Sequence, residues 1–157
     1  MWDKSTDIID YARKCYEYVA SNFRYKNGSF RTLQKILDDG GGECGDFATV
    51  VINLLRYKGI PSRHILCLKL DGGFHVWADF YLEGYGWIPF DAQMKNANPR
   101  GDYFGRYNGE CVVMAKDFCY DYGLNDINID FLQTYFYWYW YNGAETRFSV
   151  QHTSYKD

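Results

Sequence analysis

The stretch GGGECGDFATVVINLLRYKGIP, Gly40 to Pro61, decides the fold that we expect for this chain. Its apolar residues recur at helical spacing from Cys44 onward, and Gly59 and Pro61 predict the end of that helix. A helix N-terminus carries unpaired N–H groups and about half a positive charge. A thiol placed there is biased toward thiolate, and the same N–H groups can hold a developing oxyanion. The stretch therefore predicts a cysteine nucleophile at the start of a helix.

The glycines ahead of Cys44 have two explanations. Gly40 to Gly42 can end the preceding helix and allow main chain or a substrate to come close, because glycine has no Cβ. They can equally form a tight helix–helix linker, since glycine is the ordinary linker residue. The local sequence does not choose between these readings.

The order of elements predicts an α+β domain with its helices first. Residues 6–22 have helical periodicity, Thr32 can cap a short second helix, and the third begins near Cys44. Four strands follow as an expected antiparallel meander, in SRHILCLKL, FHVWADFYLE, WIPFD and CVVMAKDF, and DGG predicts a hairpin turn between the first two. FHVWADFYLE alternates, so its odd and even positions are expected to point to opposite faces of the sheet. Residues 96–106 are predicted to be a loop, and FLQTYFYWYWYN with TRFSVQH a final hairpin. We expect residues 1–157 to form one domain.

Composition excludes several functional classes. The formal net charge of −3 favours no nucleic-acid partner, and no apolar run is long enough to span a bilayer. No signal peptide is visible, which leaves a cytoplasmic protein or a secreted one with its leader removed. The 5 cysteines include no C-x-x-C pair and the 3 histidines are dispersed, so we expect no metal and no organic cofactor. The other four cysteines are most simply small buried side chains.

A cysteine nucleophile needs a base and an orienting acceptor, and the strands supply candidates for both. His75 lies in the second predicted strand and Asp91 ends the next one. Neighbouring antiparallel strands can place these side chains together. Taken singly, His75 could be a half-buried histidine and Asp91 a turn former. Their order after Cys44 makes a Cys–His–Asp triad the better interpretation.

These motifs resemble the transglutaminase-like superfamily, which is related in architecture to the papain-like cysteine proteases. The family pattern is Gly-x-Cys, an acidic residue two positions on, a helix ending in Gly-Ile-Pro-x-Arg, then His-x-Trp, then a Trp shortly before Asp. The matching residues here are Gly42, Cys44, Asp46, Gly59, Ile60, Pro61, Arg63, His75, Trp77, Trp87 and Asp91. The resemblance covers about residues 32–93.

The resemblance implies Cys44 as nucleophile, His75 as general base and acid, and Asp91 as its orienter. It also implies attack on a carboxamide or peptide carbonyl with a thioester intermediate. We favour hydrolysis over crosslinking, because a small domain lacks modules to hold a second protein substrate. The expected partner is a protein or peptide substrate, which could carry a glycan; the oligomeric state is left open.

Several neighbouring residues have less direct interpretations. The resemblance suggests a structural ion pair for Arg63, and we expect His64 to be a half-exposed strand residue. Asp46 in the first turn of the third helix favours the helix dipole and does not activate the thiol. A second oxyanion donor could be Tyr25 or Gln34, since both carry a donor group. Trp77 and Trp87, both in the family pattern, are most simply groove walls or core.

Two alternatives to an amide-bond enzyme remain. The aromatic stripe from Tyr135 to Tyr141 is most simply a late strand, but it could be a platform for a glycan or an extended peptide. That would suit a non-catalytic binding module on the same fold. Acyl transfer of the arylamine N-acetyltransferase type also uses Cys–His–Asp, although this chain is short for it.

Overall fold

The computed structural model describes residues 7–28, 31–107 and 109–117, and the backbone of 120–121 and 128–129. The helices are α1 Ile8–Asn22, α2 Leu33–Asp39, α3 Cys44–Tyr57 and α4 Ala92–Ala97. The strands are β1 Arg24–Tyr25, β2 Gly41–Gly42, β3 Ser62–Lys69, β4 Phe74–Leu82, β5 Gly86–Phe90, β6 Cys111–Lys116, β7 Tyr120–Asp121 and β8 Asn128–Ile129.

The predicted starts and stops of the first three helices are confirmed. Asp7 caps α1 by accepting a hydrogen bond from the N–H of Ile9, and Thr32 caps α2 in the same way. Gly40 ends α2 in the left-handed conformation, with φ 62°. Gly59 has φ 75° just after α3, where glycine avoids the strain that a Cβ would bring.

The main sheet is antiparallel in the order β5-β4-β3-β6. The β3–β4 hairpin closes through the predicted DGG turn, in which Gly72 has φ 86°. Pro89 lies in β5, an edge strand, where its missing N–H costs no ladder hydrogen bond. The four strands predicted from the sequence are therefore all present, but the expected meander order is wrong for β6, which pairs with β3 and not with β5.

Both faces of the sheet are covered. On one face Val76, Ala78 and Phe80 of β4 join the large core that α1 and α3 build with the sheet. The other face carries a smaller cluster around Ile65, Cys67 and Trp77. The alternation predicted for β4 is confirmed, and the α+β class is that of the structure.

Two elements differ from the sequence prediction. Residues 96–106 do not begin as a loop, because Asn96 and Ala97 complete α4. A helix of 6 residues is too short to show periodicity, so the capping aspartate ahead of it was the available signal. β1 and β2 form a parallel pair of two residues each, which no alternation could reveal.

Some predictions lie outside the described residues. These are Cys119, the aromatic stripe 135–141 and the hairpin proposed around it, so they stay predictions, as does a single domain over 1–157. Among the residues that the structure describes, no helix is both long and apolar enough to cross a bilayer.

Candidate active site

Cys44 is the first residue of α3 and is half-buried. Its N–H has no acceptor one turn back, because the helix begins here. The start of the helix is fixed by Glu43, whose N–H donates to Asp46 Oδ2 at 2.8 Å, and by Asp46 and Phe47, whose N–H groups donate to the Glu43 carbonyl. The Glu43 carboxylate in turn accepts from the N–H of Gly28 at 3.1 Å. The thiol thus sits on a well-anchored helix N-terminus.

The two glycines before Glu43 are required by close packing. A Cβ on Gly41 would collide with the carbonyl of Arg24, and a Cβ on Gly42 would collide with the Asp46 carboxylate. The β1–β2 pairing sets the first contact, because it places Arg24 opposite Gly41. Gly41 and Gly42 are thus needed because the backbone of Arg24 and the side chain of Asp46 pack closely against them, and Gly40 ends α2.

A buried ion pair supports the nucleophile's turn from below. Arg31 Nη1 donates to Asp46 Oδ2 at 2.9 Å, and Asp46 is 2% exposed. Burial raises the pKa of Asp46, although the N–H of Glu43 and the Arg31 guanidinium act to lower it. Asp46 Oδ1 has no hydrogen-bond partner among the described residues. Arg31 is a positioning residue that sequence reasoning missed, since it lies 15 residues from its partner.

The register of β4 and β5 brings His75 and Asp91 together. Phe90 lies opposite Ala78, so the next residue, Asp91, emerges beside Trp77 on the sheet face that also carries His75. His75 Nε2 and Asp91 Oδ2 are 2.5 Å apart, and both residues are buried. His75 and Asp91 can pair because the edge strand β5 ends at Phe90, one residue before Asp91.

Asp91 is held on two sides. Its Oδ1 accepts from the N–H of Met94 at 2.9 Å as the N-cap of α4, while Oδ2 faces His75. Its own N–H donates to the carbonyl of Tyr103 at 3.0 Å. The carboxylate is therefore fixed by the helix that the sequence analysis did not predict, which explains how an aspartate at a strand end can orient a histidine.

His75 also interacts with Cys44, which completes the predicted trio. Burial lowers the pKa of His75, but hydrogen bonds with Asp91 and Cys44 and the charges of those two groups outweigh it, so the pKa rises from 6.5 to about 10. Because Nε2 faces Asp91, we infer that Nδ1 faces the thiol. The structure thus brings Cys44, His75 and Asp91 into one cluster, with the imidazole in the middle.

Of the two expected oxyanion donors, Tyr25 lies opposite Gly42 in the β1–β2 pair, and Gly42 is two residues before Cys44. Burial and the charges of Cys44 and Glu43 raise the pKa of Tyr25. Gln34 instead donates to Asp38 Oδ1 at 2.8 Å on the exposed side of α2.

Arg63 of β3 stacks over the ring of Trp87 in the edge strand β5. The Arg63 guanidinium donates to Asp79 at 3.2 Å and lies 3.8 Å from the centroid of the Trp87 ring. The structural ion pair expected for Arg63 is confirmed.

The prediction for His64 was wrong. His64 is 8% exposed and its Nε2 lies 2.9 Å from Thr49 Oγ1 of α3. Burial and the charge of Arg56 lower its pKa to about 3. His64 lies opposite Ala78 on the sheet face that packs against α3, so this helix buries it.

A cleft opens beside the His75–Asp91 pair. It encloses about 370 Å³. Its lining residues are Lys69, His75, Asp91, Gln93, Met94, Tyr103, Arg106, Tyr107 and Gly109. Trp77, expected as groove wall or core, is buried below it and stacks on Tyr107 with ring centroids 4.0 Å apart. Four of the nine lining residues come from the segment after α4, which carries no motif.

Comparisons with known proteins agree with this architecture. An uncharacterized protein of Haemophilus influenzae is 32% identical over 120 residues, with 57% of this chain and 32% of that protein covered. A proposed cysteine protease of Cytophaga hutchinsonii has a similar fold, with a TM-score of 0.54, 20% identity, and coverage of 73% of this chain and 45% of that one. The periplasmic domain of TgpA from Pseudomonas aeruginosa also has a similar fold, with a TM-score of 0.50 and 19% identity. The match covers 62% of this chain and 40% of that one.

The chain spans about a third of the length of the Haemophilus relative and less than half of the Cytophaga protein. The core pattern of the transglutaminase-like superfamily matches residues 1–92, which include all three members of the cluster. With the fold, the cysteine at the helix start and this match together, the chain belongs to the transglutaminase-like superfamily.

Proposed function

We propose that this chain is a cysteine enzyme that hydrolyses amide or peptide bonds through a thioester on Cys44. The observation that carries the proposal is the position of His75, buried between Asp91 and the thiol at the start of α3. A base within reach of a nucleophile, and an acceptor that orients the base, are the parts that thiol catalysis needs.

The geometry supports a two-step reaction. The Cys44 thiolate attacks the carbonyl carbon, and the oxygen takes up the negative charge beside the N–H of Cys44 and the hydroxyl of Tyr25. The carbon–nitrogen bond then breaks, and the His75 imidazolium gives its proton to the departing nitrogen. A pKa raised to about 10 keeps that proton on His75 at neutral pH until the leaving group takes it.

The second step returns the enzyme to its starting state. Neutral His75 takes a proton from water as the water oxygen attacks the thioester carbonyl. The carbon–sulfur bond breaks, the thiolate leaves, and a carboxylic acid is released. If an amine attacks in place of water, the product is a new amide, so the same intermediate serves crosslinking. The fold resemblance to a proposed cysteine protease is consistent with hydrolysis.

Thiol labelling tests the proposal first. We expect iodoacetamide to alkylate Cys44 at pH 6, whereas ordinary thiols react appreciably only near pH 8.5. Half-buried Cys111 is the internal comparison. His75→Ala should remove the low-pH reaction and leave Cys111 unchanged. Equal labelling of Cys44 in the two proteins would overturn the proposal.

A second assay follows the intermediate. p-Nitrophenyl acetate should acetylate Cys44, seen as a mass gain that then decays in water, and Cys44→Ala should show neither. Added glycine amide would divert the acetyl group to the amine if crosslinking chemistry competes. Tyr25→Phe should slow acetylation about tenfold or more, as expected for loss of an oxyanion donor, without changing the free energy of unfolding appreciably.

A further inference from the structure

The cleft beside His75 and Asp91 approaches the candidate reaction centre from one side only. His75 and Asp91 line it and Cys44 does not. The residues around it come from the ends of β3 and β4 and from the segment after β5. A molecule held in this cleft therefore meets the imidazole before it meets the thiol.

That position has a consequence for the substrate, and here the inference rests on the proposed function. In thioester formation the histidine gives its proton to the departing nitrogen, so the leaving portion of the substrate lies on the histidine side. The cleft is thus placed to hold the part that departs as an amine, while the acyl part stays with Cys44.

The charges of the cleft are unbalanced. Lys69 and Arg106 line it, and its one carboxylate, Asp91, is already engaged by His75 and by the Met94 N–H. Lys69 Nζ meets Asp71 at 3.9 Å, in a pair whose side chains are 43% and 71% exposed, which leaves its charge weakly compensated.

Arg106 contributes the second cation. Its Nε donates to the carbonyl of Asp102 at 3.0 Å, and within residues 7–28, 31–107 and 109–117 its guanidinium forms no ion pair. A chain with a formal net charge of −3 therefore presents a positive cleft at this point. Cations gathered in a cleft with apolar walls attract anionic ligands more strongly than scattered surface charges do.

The walls of the cleft are firm. Tyr107 stacks on buried Trp77, and the Tyr103 hydroxyl accepts a hydrogen bond from Asn98 at 3.0 Å. Rigid aromatic walls lower the entropy lost when a ligand binds. The space of about 370 Å³ suits a residue or two of an extended peptide.

We propose that this cleft selects substrates whose leaving portion bears a carboxylate, which Lys69 and Arg106 bind. The carboxylate could be an acidic side chain or the free C-terminus of the departing peptide. Both present the same group, and the experiment separates them.

The test measures binding without turnover, in the full chain carrying Cys44→Ala. Four leaving-group peptides are titrated by ligand-observed NMR: Ala-Glu-NH₂ against Ala-Gln-NH₂, and Ala-Ala-OH against Ala-Ala-NH₂. Two partly exposed cations should give the acid of one pair an affinity about threefold to tenfold higher than that of its neutral partner. A preference in the first pair assigns the side chain, and one in the second assigns the C-terminus.

Variants then locate the preference. Lys69→Met and Arg106→Met, which keep the apolar stems, should each reduce it and together remove it. Lys58→Met is the matched control, because Lys58 is an exposed lysine at the far end of α3, and it should leave the preference intact. Raising the salt to 0.5 M in the Cys44→Ala protein should weaken the preference in the same direction, and this reading needs no further variant.

Equal affinities within both pairs, or a preference that survives Lys69→Met with Arg106→Met, would overturn the inference. This outcome is distinct from failure of the proposed function, which is read from Cys44 labelling in the parent protein. If Cys44 is reactive but the acids show no preference, the proposed enzymatic function stands and the proposed role of the cleft is wrong. If Cys44 is unreactive but the acids bind more tightly, the proposed enzymatic function is wrong and the cleft is an anion-binding site.

Discussion

Asp91 performs two tasks with its two carboxylate oxygens. One accepts the Met94 N–H and starts α4, and the other faces His75. The division matters because a carboxylate that only contacted the histidine could rotate away. By also capping a helix, Asp91 has its side-chain torsions fixed, and the imidazole takes its orientation from it.

The two tasks can be separated by substitution. Asp91→Asn keeps an oxygen for the Met94 N–H but presents an N–H to His75, so we expect the cap to hold while Cys44 alkylation at pH 6 slows about tenfold or more. Asp91→Ala should slow alkylation similarly and also lower the free energy of unfolding by about 1 kcal/mol through the lost cap. Rates are read by mass spectrometry and stability by urea titration. Parent-like alkylation in Asp91→Asn would show that the carboxylate does not orient His75.

Sequence alone could predict which residues meet at this scale but not how they are held. Cys44, His75 and Asp91 were identifiable because Cys44 begins a predicted helix, His75 lies in a predicted strand and Asp91 ends the next predicted strand. The cap on α4, the Arg31–Asp46 pair and the position of Tyr25 depend on short or distant contacts that leave no periodic pattern. His64 was misjudged because its contact with Thr49 of α3, on the core face of β3, is a tertiary property.

At the scale of elements, α3 begins at a crowded junction. The β1–β2 pair, Glu43 and the buried Asp46 carboxylate all meet at its first turn. The glycines ahead of it fit because they lack a Cβ, so any side chain there would move the turn that carries the thiol.

Gly42→Ala should therefore harm both stability and reactivity. Its Cβ would collide with Asp46, and we expect a loss of about 1–3 kcal/mol in the free energy of unfolding with slower Cys44 alkylation in the protein that remains folded. Gly72→Ala is the control, since a Cβ there meets nothing within 4 Å and the cost is that of its φ of 86°. It should destabilise the hairpin turn by about 1 kcal/mol and leave Cys44 unchanged. The prediction fails if Gly42→Ala matches the parent in both measurements.

The Arg31–Asp46 ion pair should contribute to stability in a pH-dependent way. Arg31→Met leaves Asp46 buried without its cation, and we expect a loss of about 3 kcal/mol near pH 7. The pKa of Asp46 is already raised by burial, and removing Arg31 raises it further, so protonation favours the folded variant. The difference in the free energy of unfolding between the parent and Arg31→Met should therefore shrink as the pH falls toward 4. A deficit that is constant between pH 4 and pH 7 would contradict this account.

For the whole molecule, strong patterns decided what could be foreseen. Long amphipathic α1 and α3, the alternation of β4 and the glycine and proline stops gave the α+β order and most element bounds. The sheet order was predicted only in part, because an antiparallel meander places β3, β4 and β5 side by side, as found, but also places β6 beside β5. That β6 pairs with β3 and not with β5 became visible only in the folded chain.

Two buried histidines should shape the pH dependence of global stability in opposite directions. His64 has a pKa lowered to about 3, so below its unfolded value of about 6.5 the unfolded chain binds a proton that the folded chain rejects, and stability falls as the pH drops from about 6.5 toward 3. His75 has a pKa raised to about 10, so its contribution is fully present below about 6.5 and is lost as the pH rises toward 10.

The His75 contribution can be isolated in a Cys44→Ala background, because the proposed Cys44 thiolate loses a proton on folding and would offset the proton that His75 takes up. We therefore compare Cys44→Ala with Cys44→Ala/His75→Gln, which share every other titrating group. Above pH 7 the protein that keeps His75 should lose up to about 1.4 kcal/mol per pH unit relative to the double variant, because Asp91 holds a proton on folded His75 that the unfolded chain has released. Urea titrations at pH 6, 7, 8 and 9.5 measure the difference. Parallel curves for the two proteins would mean that Asp91 does not hold His75 protonated above neutral pH.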